Sequence, residues 1–565
     1  MENIFRKIRS LIAQEDFDQL NAVNLQKPEK FNWVKEVFEG INVKDHPNET
    51  ALLWTDEQVT HRYSFRDMSI ACNKLLNFLR AKGMQQGDVI LTQLSLQVIN
   101  WQANLATIKG GFRMIPAATI LGAADIEYRF QRLMPKVVIA DQDNAFKIEE
   151  AERLTGNTVA IKIIADGARN GWISLSEINE YGTEAEAADT FSDDPLFLFF
   201  TSGTTGMPKV VIHTHFSYPV GHLTTASWIG LRQGDVHYNI SQPGWAKFGW
   251  SSFFAPWNTG ATIFAYHTTG RFSATKILQL IADNNITTFC APPTVLRMLI
   301  TEDLKAYTFQ FRSCVAAGEP LNPEIIEAWK KGTGILIRDG YGQTESTCMV
   351  GNLPGAALRF GSMGKPLFLY DIVIADEHGN LLNDLEEGNI CVRTDTGKPN
   401  GIFIDYMDEP EKRASVFKNN LYYTGDKAYR DAEGYLWFVG RDDDVIKSSD
   451  YRVGPFEVES ILLEHNLILE SAVVGSPHPV KGFEVKAFII LSNSEAASEE
   501  LAEDIFAFCR AKLAPYKMPR LIEFVQELPK TISGKIRRVE LRALEAGRKA
   551  RQEQVNEFAY IKRER

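Results

Sequence analysis

The chain has 565 residues, 44% of them hydrophobic and 24% charged, with a formal net charge of −11 at pH 7. Such a length allows roughly three or four ordinary domains, and the composition is that of a soluble globular protein with a large core. The acidic balance argues against a nucleic-acid partner, which usually meets a basic surface. No window approaches the ~20 apolar residues of a spanning helix. The start, Met1–Ile12, is amphipathic but has no apolar signal core. Six cysteines, at 72, 290, 314, 348, 391 and 509, lack C-x-x-C spacing. We expect reduced, mostly buried thiols and a cytoplasmic location.

In chain order, Ser64–Lys82 carries apolar positions at spacings of three and four and stops at Gly83, which predicts a helix. Asp88–Leu94, Lys136–Ala140, Thr158–Ile164 and Leu196–Phe200 read as buried strands. Directly after Phe200 comes T-S-G-T-T-G-M-P-K. Thr201, Ser202, Gly203, Thr204, Thr205, Gly206 and Lys209 offer hydroxyls, backbone N–H groups and a cation to a phosphate. The spacing is not that of a Walker A loop, because Met207 and Pro208 separate Gly206 from Lys209. By itself such a loop is equally an ordinary turn.

Ser241–Trp257 is strongly aromatic and reads either as a pocket wall or as a packed core helix. Lys247 within it either meets a polar ligand group or snorkels to solvent. Thr287–Cys290, Arg312–Ala317 and Ile335–Asp339 are further strands. Gly318-Glu319-Pro320 and Gly340–Glu345 follow the last two of them. Ligands of open α/β sheets collect at such carboxyl ends. A boundary falls near 441, after Gly434–Gly440. Beyond it we predict helices at Phe456–His465 and Ser498–Leu513, and strands at Ser471–Gly475, Glu484–Leu491 and Leu521–Val525. The charged tail after Glu540 reads as a solvated helix.

These residues suit polyphosphate chemistry, which needs positioning and charge neutralisation more than covalent help. Lys209, a divalent metal near Glu345, and Lys535 in P-K-T-I-S-G-K can neutralise charge. Tyr341 offers a flat face to a purine, and Asp426 in Y-Y-T-G-D can accept from ribose hydroxyls. Singly, each has a plainer reading: a core ring, a turn aspartate, a solvated lysine.

Together and in this order, T-S-G-T-T-G-M-P-K, D-G-Y-G-Q-T-E-S, Y-Y-T-G-D, G-R-D-D-D-V-I-K and P-K-T-I-S-G-K resemble the adenylate-forming (AMP-binding) superfamily. That superfamily includes acyl-CoA synthetases, luciferases and peptide-synthetase adenylation domains. Ser448–Ser460 is most similar to the medium-chain acyl-CoA synthetases. The resemblance implies a large multi-subdomain N-terminal α/β domain (1–440), a hinge (441–445) and a small mobile C-terminal α+β domain (446–565). It implies ATP, magnesium and coenzyme A, and an acid activated as its adenylate before transfer to the thiol.

By the same resemblance, Thr201–Lys209 close over the outer phosphates. Gly318, Glu319 and Pro320 line the adenine beside Asp339 and Gly340, and Tyr341 stacks on it, with Gly342 and Gln343 following. Thr344 meets the α-phosphate or acyl carboxylate, and Glu345 holds magnesium. Asp426 and Arg441 take the ribose, Arg452 the phosphate side. Lys535 bridges carboxylate and α-phosphate. The C-terminal domain turns about Asp443. It then presents coenzyme A contacts at Ser449, Asp450, Tyr451, Lys481 and Arg520.

Two positions depart from relatives. Asp450 stands where glycine is usual, so Asp450→Gly is expected to alter the thiol step and spare adenylation. Acetate-specific relatives carry tryptophans where this chain has Tyr341 and Gly342. Gly342 is therefore expected to free volume for a longer acid, and Gly342→Trp to restrict the enzyme to short ones. Trp245, Lys247 and Trp250 complete the expected acyl pocket. The expected function is an ATP-dependent ligase joining a medium-chain, branched or aromatic acid to coenzyme A. The alternatives are an adenylating enzyme that loads a carrier protein, a luciferase, and a nucleotide-binding regulator. Oligomeric state and the role of Met1–Glu39 stay open.

Overall fold

A computed structural model describes every residue except 57, 202–206, 269, 396, 398, 449–450, 480, 494–496, 531–534 and 561–565. The first large sheet runs Lys365–Pro366, Cys348–Gly351, Ile337–Gly342, Ser313–Ala317, Thr288–Ala291, Val236–Asn239, Thr262–Tyr266, Thr50–Thr55, Thr60–Ser64. From Ile337–Gly342 to Thr50–Thr55 its strands are parallel. The second runs Asp405–Tyr406, Lys209–Thr214, Pro195–Thr201, Arg113–Ala117, Val89–Gln93, Val137–Ala140, Ile161–Ile164, Ile173–Ser174. The near-continuous apolar runs predicted as strands are what parallel strands covered on both faces require. The predicted helix is Phe65–Ala81, started by a Ser64–Asp67 capping box.

Lys209–Thr214 returns antiparallel to Pro195–Thr201, with Thr201 opposite Lys209. This pairing fixes Thr201 and Lys209, the first and last residues of the predicted phosphate loop, beside each other. A third, antiparallel sheet joins Ile372–Ala375, Gly388–Arg393, Leu421–Arg430 and Phe417–Lys418, with Leu436–Arg441 also beside Leu421–Arg430. Its register sets Asp426 opposite Arg441.

A fourth sheet is made only from residues between Ile446 and Ala559. It has its own core, including Val453, Leu462, Val485, Ile489, Ile505 and Ile522. Here the tail departs from expectation. Helix Arg538–Ala550 buries Leu541 and Glu545, and Glu557–Ala559 pairs with Leu521–Phe524. The tail is docked because Glu545 meets Lys486 at 2.7 Å inside the unit.

The opening helix, Glu2–Ala13, is also packed, burying Phe5, Ile8, Leu11 and Ile12 in the main core. Arg9 donates to Asn42 Oδ1 at 2.8 Å and to Trp257 O at 3.1 Å. Burial brings its guanidinium down to about 9. All six cysteines are buried and free. Among the described residues no helix is long and apolar enough to cross a membrane.

Candidate functional site

Ser313–Ala317 and Ile337–Gly342 are parallel neighbours, and the segment after the second meets Lys209, which lies opposite Thr201 at the carboxyl end of Pro195–Thr201. Contacts between the two large sheets fix that convergence. Lys209 Nζ lies 2.6 Å from Glu345 Oε1, and the Tyr406 hydroxyl reaches the same oxygen at 2.9 Å. Lys209 also sits 4.3 Å over the Tyr406 ring centroid. Burial works against charge on Glu345, but Lys209 and Tyr406 outweigh it and hold the carboxyl below its ordinary range. An ionised oxygen ligand beside a lysine is the donor that magnesium takes when phosphates and water complete its shell. Thr201 Oγ1, where the loop begins, is buried without a partner among the described residues.

His213 steadies the next loop. Its Nε2–H donates to Thr344 O at 2.7 Å, and Nδ1 lies 3.2 Å from Ser217 Oγ. Burial brings the imidazole down to about 4, so it is neutral at pH 7 and fixed in one tautomer.

Tyr341 OH and Gln343 Nε2 both donate to Asp426 Oδ2 at 2.6 Å. Gln343 also donates to Thr424 O at 2.9 Å. Burial raises the Asp426 carboxyl, opposed by Tyr341, Arg441 and Gln343. Asp339 is buried beneath this surface, and its carboxyl is pushed up to about 8. Gly340 carries no side chain because a Cβ there would lie 2.4 Å from Trp228. Gly318 takes φ +110°, a left-handed conformation that favours glycine. Glu319 next to it accepts from Thr294 Oγ1 at 2.8 Å.

Lys535, on the fourth-sheet unit, is exposed and lies within electrostatic reach of Glu319 and Asp426. Its side chain keeps contact with water, while the surrounding protein mass lowers its pKa against the pull of Glu319 and Asp426. Six residues pair around the chain crossing: Arg441 Nε donates to Asp443 Oδ1 at 3.0 Å, Arg542 meets Asp443 and Asp444, and Arg538 joins Glu459 at 2.6 Å.

The aromatic stretch is both pocket wall and packed helix. Its backbone passes from Ala246–Gly249 through a π turn at Trp250–Phe254 to Ala255–Thr259. Gly244 packs where a Cβ would lie 2.2 Å from the Ala118 nitrogen. Trp101 Nε1 donates to Ser252 O at 2.8 Å, and Asn239 Nδ2 to Ser252 Oγ at 2.9 Å. Trp245 is half-buried against the core, Trp250 is buried, and Lys247 Nζ donates to Ala317 O at 2.9 Å. One expectation is corrected. A Cβ on Gly342 would lie 2.4 Å from Trp250 Cη2 and 2.1 Å from Thr347 O. Trp250 occupies the space that glycine leaves, so no volume is gained there. Gly342→Trp would strike backbone rather than trim the pocket.

Arg452 is exposed, and its field reaches Glu387. Tyr451 is exposed and stacks on Tyr516 at 4.4 Å. Arg520 donates to Pro515 O at 2.7 Å, and Lys481 N to His478 Nδ1 at 3.2 Å. Ser202, Gly203, Thr204, Thr205, Gly206, Ser449 and Asp450 fall outside the described residues. Tyr406 and His213 were missed. The strand pairing that brings Tyr406 beside Val211 leaves no local motif. His213 is one buried residue of an ordinary strand, with no motif around it.

Residues 41–398 match the family described as AMP-binding enzyme, and residues 457–535 the AMP-binding enzyme C-terminal domain. The chain is 48% identical to 4-hydroxybutyrate–CoA ligase 1 of Metallosphaera sedula, over 94% of this chain and 93% of that protein. It is 42% identical to the mitochondrial acyl-coenzyme A synthetase ACSM3 of Rattus norvegicus, over 96% of each. The solved structure of the anthranilate CoA ligase AuaEII with anthranoyl-AMP superposes with a TM-score of 0.83 at 32% identity, covering 92% of this chain and 98% of that one.

Proposed function

The chain belongs to the AMP-binding enzyme family, and from that premise we propose that it is an ATP-dependent acid–thiol ligase. It activates a medium-chain, branched or aromatic carboxylic acid as the acyl-adenylate and passes the acyl group to coenzyme A, releasing AMP and pyrophosphate. The acid's carboxylate oxygen attacks the α-phosphorus, and the bond to pyrophosphate breaks. The thiolate sulfur then attacks the acyl carbon, and AMP leaves.

What supports this reading is that Lys535, carried by the fourth-sheet unit, lies within electrostatic reach of Asp426 and Glu319. Two anions must meet in the first step, and a placed cation lowers the cost of their approach. Asp426, held by Tyr341 and Gln343, takes the ribose with Arg441, and Tyr341 faces the adenine over Gly318, Glu319 and Pro320. Lys209 exchanges its bond to Glu345 for the outer phosphates, while Thr344 meets the α-phosphate. Glu345 would hold magnesium, which supplies charge neutralisation on the phosphate oxygens. The hinge is Asp443, and the unit from 446 onward is the part that turns to admit coenzyme A. Its thiol path runs past Ser449, Asp450 and Tyr451. Location in the cytoplasm is part of the same reading.

A pyrophosphate-release panel over acids of different length, with and without coenzyme A, tests this. Acid-dependent release with AMP formation completed by the thiol is expected. Release that ignores the acid would overturn it.

A further inference from the structure

Tyr406 stands where the Lys209 strand and the Glu345 segment meet. It lies on Asp405–Tyr406, the edge strand that pairs with Lys209–Thr214, opposite Val211. The backbone on either side of it is tied to both parts of the site. Met407 N donates at 2.9 Å to the carbonyl of Val210, the residue after Lys209, and Phe403 N donates to Glu345 O at 2.9 Å. Phe403 is wholly buried, and its ring centroid lies 4.6 Å from that of Tyr406. The phenol therefore has little room to move.

Its hydroxyl is used on both sides. Lys209 Nζ donates to the Tyr406 oxygen at 3.0 Å, and the hydroxyl donates to Glu345 Oε1 at 2.9 Å. These directions are not interchangeable. An ammonium has no acceptor, so Lys209 gives to the oxygen, and the single phenolic proton is left for the carboxylate. Lys209 also donates directly to Glu345 Oε1 at 2.6 Å. The three groups close a triangle on one carboxylate oxygen, and Oε2 stands outside it.

In the ligase reading above, Lys209 leaves this triangle for the outer phosphates. Both of its bonds then break, and the one that remains joins Tyr406 to Glu345. Glu345 loses its nearest partner at the moment it is asked to hold a divalent ion.

We propose that Tyr406 is a positioning residue for the metal-bound nucleotide: its hydroxyl keeps the Glu345 carboxylate aimed after Lys209 has moved to the phosphates. This deepens the ligase reading and rests on its assignment of Glu345 to magnesium. Hydrogen-bond partners behind a ligating carboxylate are worth about 10–100-fold in metal affinity.

The test is Tyr406→Phe, which keeps the ring beneath the Lys209 ammonium and against Phe403 and removes the hydroxyl alone. Binding of Mn2+ to the enzyme with α,β-methylene-ATP, which cannot break at the α-phosphorus, is followed by the electron paramagnetic resonance of free Mn2+. The Kd for Mn2+ is expected to rise about tenfold or more, while the affinity for the nucleotide analogue in EDTA, measured by calorimetry, does not weaken. Added to Glu345→Gln, the same change is expected to cost nothing further, because its path runs through the carboxylate. If Tyr406→Phe does not fold, Tyr406→Met, an apolar side chain of adaptable shape, is read in the same way. Parental Mn2+ affinity in the folded variant overturns the assignment. So does a nucleotide affinity that weakens equally with and without metal, or a cost that adds in full to that of Glu345→Gln. Glu345→Gln with parental Mn2+ affinity overturns it too, by removing Glu345 from the metal. The ligase reading itself fails separately, when the parent enzyme releases no pyrophosphate with any acid of the panel.

Discussion

Lys486 and Lys209 both stand among carboxylates, in two regions with different purposes. Lys486 meets Glu523, Glu545 and Glu557 at 2.8, 2.7 and 2.7 Å, and neither it nor Glu545 has any exposed side-chain surface. Arg548 and Lys549 add two more cations to the same acids. Three carboxylates within reach of one another could resemble a metal site. Here an ammonium fills it, and the charges close on themselves. Lys209 has one carboxylate, and the pair keeps 18% and 11% of its side-chain surface open to the cleft. A closed, dry cluster holds a tail in place. An open pair can trade partners when a ligand arrives.

Removing each cation should separate the two regions. Lys486→Met leaves the fully buried Glu545 without its close cation and weakens the hold on Glu523 and Glu557, and a loss of about 3–5 kcal/mol is expected in urea unfolding, with the enzyme that remains folded still forming adenylate. Lys535→Ala should do the opposite. Adenylate formation is expected to fall roughly 10²–10³-fold, at an unchanged melting temperature, while thioester formation from supplied adenylate changes little. Equal losses in both half-reactions would end the contrast. Lys209→Met is expected to raise the KM for ATP about tenfold, the scale of one charge-assisted hydrogen bond.

Arg542 links the regions, because it ties the helix that follows Lys535 to Asp443 and Asp444. Arg542→Gln is expected to slow adenylation about two- to fivefold, in keeping with a half-exposed pair, and Arg542→Lys to restore part of it. The smallest effect concerns Glu324, on Pro323–Thr333. Burial, then the charge of Glu464 in the fourth-sheet unit, push it up to about 7, opposed by Lys512 and reinforced by Glu327. The folded state binds this proton more tightly than the unfolded chain, whose glutamate titrates near 4.5. Its contribution is complete below that value and is lost as pH rises through about 7. Glu324→Gln should flatten that part of the pH dependence of the melting temperature.

Much of this was legible in the chain. Parallel strands buried on both faces announce themselves as apolar runs, and Lys209, Glu345, Tyr341 and Asp426, which the structure joins as two pairs, each stand in a local motif. What was hidden depends on distant partners. The tail looked solvated because Glu545 is acidic, and only Lys486, far away in sequence, makes it core. Tyr406 reaches Glu345 through strand pairing, which no spacing reveals. Gly342 suggested room, and Trp250 had already taken it.

The buried sulfurs have a practical consequence. Thiolates, not thiols, react with alkylating dyes. All six native cysteines are shielded, and burial pushes Cys391 and Cys509 up to about 12 and raises Cys72, Cys314 and Cys348 as well. Two surface cysteines placed by design, one on Pro323–Thr333 and one on Arg538–Ala550, would therefore label against a dark background. The distance between the fluorophores would then report swivelling at residue 443 during turnover.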